Sequence, residues 1–509
     1  MTQPAPRSAP AELWRSSWAR AFAVLVAVAG ALAATAVAGA PGLVAWVVAA
    51  AALVHLTLLE PVAAALLGVV AVLARAGRAG GDRAGRAGRS VGRATVQAAG
   101  QVRRAPSLWH REPVPAAVLA AVTWMVAITP AIWRLAHGRA NGYLANDWIP
   151  HVVEVEKVGF WPPHLPIPHF LFPLLSAALE RASFVLSAEA ASAIIGILSA
   201  GATAATLVWF FWRPWRDGPT LPVRAAWLAA IGFLVSDLPQ YLFFGADSLR
   251  YDLLNVSVHQ WNTPTNVIVE PLQLVMLVLM ARVGSEPDPS RRVLRSAAAV
   301  SFLTTLALPA LPVAALGGVP IWLWRTGRLR SHALRCFWYL GVPILLGLAA
   351  ESLQAMFWLS DDLQARPRFH IGGEMLGLGL WSPGLGMLVI LALAVLIGWR
   401  SFASSIEVRL VGWCLLVALT MLFTIGFDGN LENAGNVGRV AYGVAWVGYL
   451  YLLRWMIELA RGWRAWRSWP LRRQVAAPLV VAYAVVSVAG GAAMLLEQSG
   501  AITFTGATI

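Results

Sequence analysis

The sequence predicts an all-α membrane protein, a polytopic bundle of roughly 11 to 13 transmembrane helices. Three observations predict it. Of 509 residues, 58% are hydrophobic and only 13% charged, more apolar surface than a water-soluble fold can hide. Apolar runs of span length recur along the whole chain. The basic residues gather in short segments between the runs, as they do in cytoplasmic loops.

A helix needs about 17–25 apolar residues to cross the hydrocarbon. Runs of that kind lie near 22–40, 42–74 (bent near Pro61), 115–133, 188–212, 225–244, 265–281, 338–358, 384–399, 411–425, 440–457 and 476–496. Between 297 and 324 the run is too short for two full spans and is broken by Pro309 and Pro312. A tight hairpin of short helices is expected there. The segment 170–186 is apolar but carries Pro173 and the charged pair Glu180 and Arg181. A span there would put Arg213 and Arg216 on the outer side, so an amphipathic helix in the outer interface is expected instead.

The net charge is +14, almost all from arginine, and Lys157 is the only lysine. Nine arginines fall between 75 and 111 in a Gly/Ala background, the composition of a solvated cytoplasmic linker drawn to anionic headgroups. The segments 213–224, 282–295, 325–335, 400–409 and 461–473 are also basic. This distribution speaks for loops beside a bilayer and against a nucleic-acid partner. Cys336 and Cys414 sit in apolar surroundings, so neither a disulfide framework nor a zinc site is implied. The first apolar run continues at span length, which predicts an anchor with a cytoplasmic N-terminus rather than a cleaved signal. The complementary segments face outward: 135–187, 245–264, 359–383, 427–439 and the tail after 496.

The outward segments collect the residues that can do chemistry. The first holds Asn146, Asp147, Trp148, His151, Glu154, Lys157, Trp161, His164 and His169. If 147–157 is helical, Asp147, His151 and Glu154 share one face at i, i+4 and i+7. Later segments hold His259 and Asn262, then Asp361, Asp362, Arg366, Arg368 and His370, then Asp428, Glu432 and Arg439. A carboxylate can take the proton of an attacking hydroxyl, and arginine and histidine can hold a phosphate leaving group. Arg439 enters a span from the outer side, against the charge trend, which points to an anionic partner. Asp361–Asp362 has no third carboxylate nearby, so a divalent cation is unsupported and no metal site is expected. Most tryptophans mark span ends as an interfacial belt; Trp148 and Trp161 are the two placed to stack on a sugar.

Asn146–Asp147 after a span, followed by Trp161-Pro162-Pro163-His164 and Pro168-His169-Phe170-Leu171-Phe172, resembles the first outer loop of the GT-C superfamily of integral-membrane glycosyltransferases. Trp261-Asn262-Thr263-Pro264 and Gly435-Asn436-Val437-Gly438-Arg439 are similar to segments of bacterial members. The resemblance covers 115–457 in topology and only these motifs in sequence. It implies a polyprenyl-phosphate sugar as donor, a cell-envelope glycan or glycolipid as acceptor, and inversion at the anomeric carbon on the outer face of the plasma membrane. It implies Asp147 as the base, with Asn146, Trp148, His151, Glu154 and His164 against the sugars. Arg439, Arg368, His370 and His259 would take the lipid phosphate. Beyond that donor, no cofactor is implied. Two spans and the arginine-rich linker precede the acidic loop, so 1–112 is expected to be an appended element. The core is then 113–458, and 459–509 holds a basic loop and a last span. Two alternatives stay open. One is a transporter or flippase of lipid-linked glycans, for which ionisable groups at mid-membrane depth would speak. The other is a polysaccharide polymerase or ligase.

Overall fold

The computed structural model describes residues 113–138, 143–160, 163–164, 170–183, 185–212, 221–235, 264–358, 366–369, 371, 406–428, 450, 453–455, 457 and 467–501. Its architecture is helical: α1 (Pro113–Ala136), α2 (Tyr143–Lys157), α3 (Leu171–Ser183), α4 (Ala188–Trp212), α5 (Val223–Val235), α6 (Pro264–Ser285), α7 (Arg291–Ala307), α8 (Ala310–Arg325), α9 (Leu329–Cys336), α10 (Val342–Trp358), α11 (Ile406–Thr424) and α12 (Leu471–Gln498). A π-helical turn, Phe337–Gly341, joins α9 to α10 without a break. The strands among the described residues form two short antiparallel pairs. β1 (Gly159–Phe160) pairs with β2 (Pro163–His164), and β3 (Arg366–Phe369) with β4 (Ile425–Asp428).

Four described helices are long and apolar enough to cross a bilayer: Pro113–Ala136, Ala188–Trp212, Pro264–Ser285 and the continuous Leu329–Gln354. This is an all-α membrane protein. The spans expected near 115–133, 188–212, 265–281 and 338–358 coincide with these helices. The one near 476–496 falls within α12, and the one near 411–425 falls within α11 except for its last residue, which opens β4. Of 225–244, only 225–235 is described, and it is helical. The spans near 22–40, 42–74 and 384–399, and most of 440–457, lie outside the described residues, as does the arginine-rich segment through 111.

Local chemistry sets the limits. Proline at Pro113 and Pro264 opens α1 and α6, where its missing N–H costs nothing. The Ser187 hydroxyl accepts from the Ala190 N–H at the start of α4 (3.3 Å), with Glu189 in the first turn, a cap and a charge that both suit a helix N-terminus. Gly138 ends α1 with φ +63°, a left-handed residue that closes the last turn. The expected break between two short helices occurs at Leu308–Pro309, between α7 and α8. The apolar 170–186 segment is not a span: α3 has 13 residues and buries one face through Leu171, Phe172, Ser176 and Ala177.

Two compact units divide the chain. The described part of the first comprises residues 113–127, 207–212 and 221–230. It contains a small cluster of Val122 and Val126 with Val118, Leu119 and Met125 around them. The second unit holds the other described residues. In it α6 packs along α7, α7 along α10, and α8 along α11. The α8–α11 approach depends on small residues: a Cβ on Gly318 would stand 2.8 Å from Cys414 Cα. Close backbone approach of this kind is how membrane helices gain dispersion energy where lipid removes the hydrophobic drive. Cys336 and Cys414 are both buried free thiols.

The C-terminal end of α6 is tied down by a residue that the sequence suggests only as part of a basic loop. The Arg335 guanidinium donates to the carbonyls of Val283 (3.1 Å), Glu286 (2.7 Å) and Pro287 (2.9 Å). Arg282 donates to the Glu286 carboxylate at 2.7 Å. Carbonyls at a helix end lack intrahelical donors, and a planar guanidinium satisfies three of them at once. Arg335→Leu is expected to destabilise the folded protein by about 2–3 kcal/mol. Arg335→Lys should recover only part of that, since one ammonium cannot span the three carbonyls. Thermal unfolding in detergent micelles checks both.

Candidate functional site

Part of the segment 135–187 folds into a compact module within the second unit: α2, the β1–β2 pair, then α3. Asn146, Asp147, Trp148, His151, Glu154 and Lys157 all lie on α2. Helical periodicity therefore places positions 147, 151 and 154 on one face, as the sequence pattern suggests. Pro150 sits inside the helix, and it has no N–H to offer the Asn146 carbonyl one turn earlier. That carbonyl lies immediately before Asp147.

Trp148 fastens this helix. It is 0% exposed, its ring meets Phe172 of α3 edge-on (centroids 5.7 Å apart, 89° between planes), and it lies against Gly196 of α4. A Cβ on Gly196 would stand 2.6 Å from Trp148 Cη2 and 3.4 Å from Ile132 Cγ2. This corrects the expectation of a sugar-stacking surface at Trp148: the indole has no exposed face, because it fills the socket between α1, α3 and α4. Val152, Val155 and Val158 are buried as well. Arg181 of α3 donates to the Val158 carbonyl, closing the module at its other end.

His151 lies at the join between the module and the bundle. Its ring is 6.2 Å from that of Phe172, and its Nε2 is 3.4 Å from the Thr265 hydroxyl at the start of α6. Glu154 is half-buried. One carboxylate oxygen accepts from Lys157 Nζ at 2.9 Å; the other is buried with no hydrogen-bond partner among the described residues. The lone lysine thus serves as the partner of Glu154. The opposite face of α2 exposes Ile149 and Val153, each 42%.

His164 stands on β2, opposite Gly159 in the register. Arg368 stands on β3, opposite Gly426, and Arg366 opposite Asp428. That ladder joins the segment 359–383 to the segment beginning at 427, so two segments distant in sequence meet through backbone pairing. Alternation along the strands puts positions 366, 368, 426 and 428 on one face of the pair. Trp161, His169, His259, Asn262, His370 and Arg439 lie outside the described residues. Among the described residues no group of His, Cys, Asp and Glu side chains could hold a metal ion.

One chemistry-bearing pair is absent from the sequence reading. Glu270 and Gln273 are buried in α6, a helix read from sequence as an apolar span. A lone acid in such a run was the available signal.

No family model and no curated protein matches the chain. Among solved structures it is similar to the crystal structure of ArnT from Cupriavidus metallidurans bound to undecaprenyl phosphate. The identity is 15% and the TM-score 0.39, over 75% of this chain and 77% of that one.

Proposed function

We propose that the protein is a membrane glycosyltransferase that moves a sugar from a polyprenyl-phosphate donor to a cell-envelope glycan or glycolipid acceptor at the outer face of the plasma membrane. Asp147 takes the proton of the acceptor hydroxyl. The freed oxygen attacks the anomeric carbon from the side opposite the phosphate. The C–O bond to the phosphate breaks, its electron pair leaves with the polyprenyl phosphate, and the anomeric configuration inverts. Arg368, His370, Arg439 and His259 take the phosphate charge. Asn146, His151, Glu154 and His164 bind the sugars, and Trp148 holds α2 in place.

The observation that carries this reading is α2 itself. An acid, a histidine and a second acid share one face of a helix that Trp148 and the His151–Thr265 contact fasten to the bundle. General-base catalysis needs a carboxylate carried on an element held in place. The β3–β4 pairing adds arginines and an acid from two further segments. The resemblance of the loop motifs to the GT-C superfamily supports the same donor class.

A second reading, a transporter of lipid-linked glycans, is favoured by one observation: Glu270 and Gln273 lie inside a span, where transporters place their polar groups. Purified protein in nanodiscs, given a panel of radiolabelled polyprenyl-phosphate sugars and glycan acceptors, separates the two. Labelled acceptor supports the transferase. Binding of lipid-linked glycan without transfer from any donor moves the transporter ahead.

A further inference from the structure

Glu270 is 5% exposed and Gln273 2%, one helical turn apart on α6. Among the described residues, Glu270 Oε2 and Gln273 Nε2 have no hydrogen-bond partner. Polar groups that merely glue membrane helices together find partners on the neighbouring helix. An acceptor and a donor left unpaired side by side in an apolar span are costly to keep, and that cost is the mark of groups kept for a ligand.

Their position connects them to α2. Thr265, which His151 contacts, opens α6, and Glu270 and Gln273 follow about 8 and 12 Å further along its axis. Phe172, which flanks His151, lies on α3, and α3 packs on α6. One turn after Phe172, on the same buried face of α3, is Ser176, whose hydroxyl is also buried without a partner among the described residues. The helix that His151 touches at its start thus carries Glu270 and Gln273 further along, and the helix that carries Phe172 carries Ser176.

We propose that Glu270 and Gln273, with Ser176, form a binding site for sugar hydroxyls inside the bundle, reached from the His151–Thr265 contact. The chemistry matches: a sugar hydroxyl both donates and accepts, so one can donate to the Glu270 oxygen while its neighbour accepts from the Gln273 N–H. The site selects the sugar of the lipid-linked substrate rather than its phosphate, and it rests on the sugar-transfer reading above.

The test compares wild type, Glu270→Leu and Gln273→Leu in nanodiscs, each titrated with polyprenyl phosphate and with the same lipid carrying a hexose or pentose. Wild type is expected to bind the sugar-bearing lipid more tightly. Each leucine variant should lose about tenfold of that preference while binding the sugar-free lipid as wild type does. Both variants should melt no lower than wild type, because an unpaired buried polar group has been removed. Should leucine prevent folding, Glu270→Gln keeps the shape and is expected to weaken the preference as well. A variant that melts lower and keeps the full preference makes these residues structural and overturns the proposal. If wild type transfers sugar and all variants bind and transfer alike, this inference falls and the transferase reading stands. If wild type neither binds nor transfers any sugar-bearing lipid, both fall.

Discussion

Asp147→Asn is expected to slow sugar transfer by about 10²- to 10⁴-fold, with the protein folded and the donor still bound. Asparagine keeps the size and polarity of the side chain and removes the ability to take a proton, so the loss reports the base alone. The neighbouring acid gives the contrast. Glu154 commits one oxygen to Lys157, which leaves it half engaged before any substrate arrives, and Glu154→Gln should cost far less. Rate and KM measured together separate the roles: the Asp147 variant should lose turnover with little change in KM, and the Glu154 variant should show the reverse. Equal transfer by Asp147→Asn and wild type would remove Asp147 from the chemistry and leave Glu154 as the acid to examine.

The helices that carry this site were legible because their limits rest on short-range signals. Ala188–Trp212 begins after a capping serine, and α6 opens at Pro264. The break between α7 and α8 falls at the proline that the run itself displays, and Glu180 with Arg181 reveals α3 as too polar to span. The Asp147–His151–Glu154 face was legible for the same reason, since a helical repeat needs no partner to be read.

What the sequence hides are the pairings between distant segments. Trp148 beside an acid looks like a stacking platform until Gly196, in another helix, supplies the socket that buries it. Arg335 reads as one more cytoplasmic charge, yet its guanidinium folds back onto three carbonyls at and just beyond the C-terminal end of α6. Arg366 and Asp428 belong to separate segments whose strand propensity is weak, and only the ladder sets them opposite each other. Glu270 is the exception: its signal was local, and an average over an apolar run diluted it.

Trp148→Ala should therefore be the most damaging change near the site, at about 3–5 kcal/mol of folding stability, because the indole is fully buried. A ring lost from the socket between Phe172 and Gly196 leaves a cavity that α2 can fill only by moving, and Asp147 moves with it. The socket can also be spoiled from its other wall. Gly196→Ala places a methyl against Trp148 Cη2 and should cost about 1–3 kcal/mol by overpacking, with transfer falling in parallel. Because the two side chains compete for one space, Trp148→Phe made together with Gly196→Ala should recover stability that neither single variant retains, a coupling of about 1 kcal/mol or more. Denaturation of all four proteins in mixed micelles gives the cycle. A sugar-stacking tryptophan behaves differently: Trp148→Ala would then raise KM, leave the unfolding midpoint unchanged, and show no coupling to Gly196. Additive costs in the cycle would thus return the indole to the substrate, whereas compensation identifies it as the pin that holds the general base in register with the bundle.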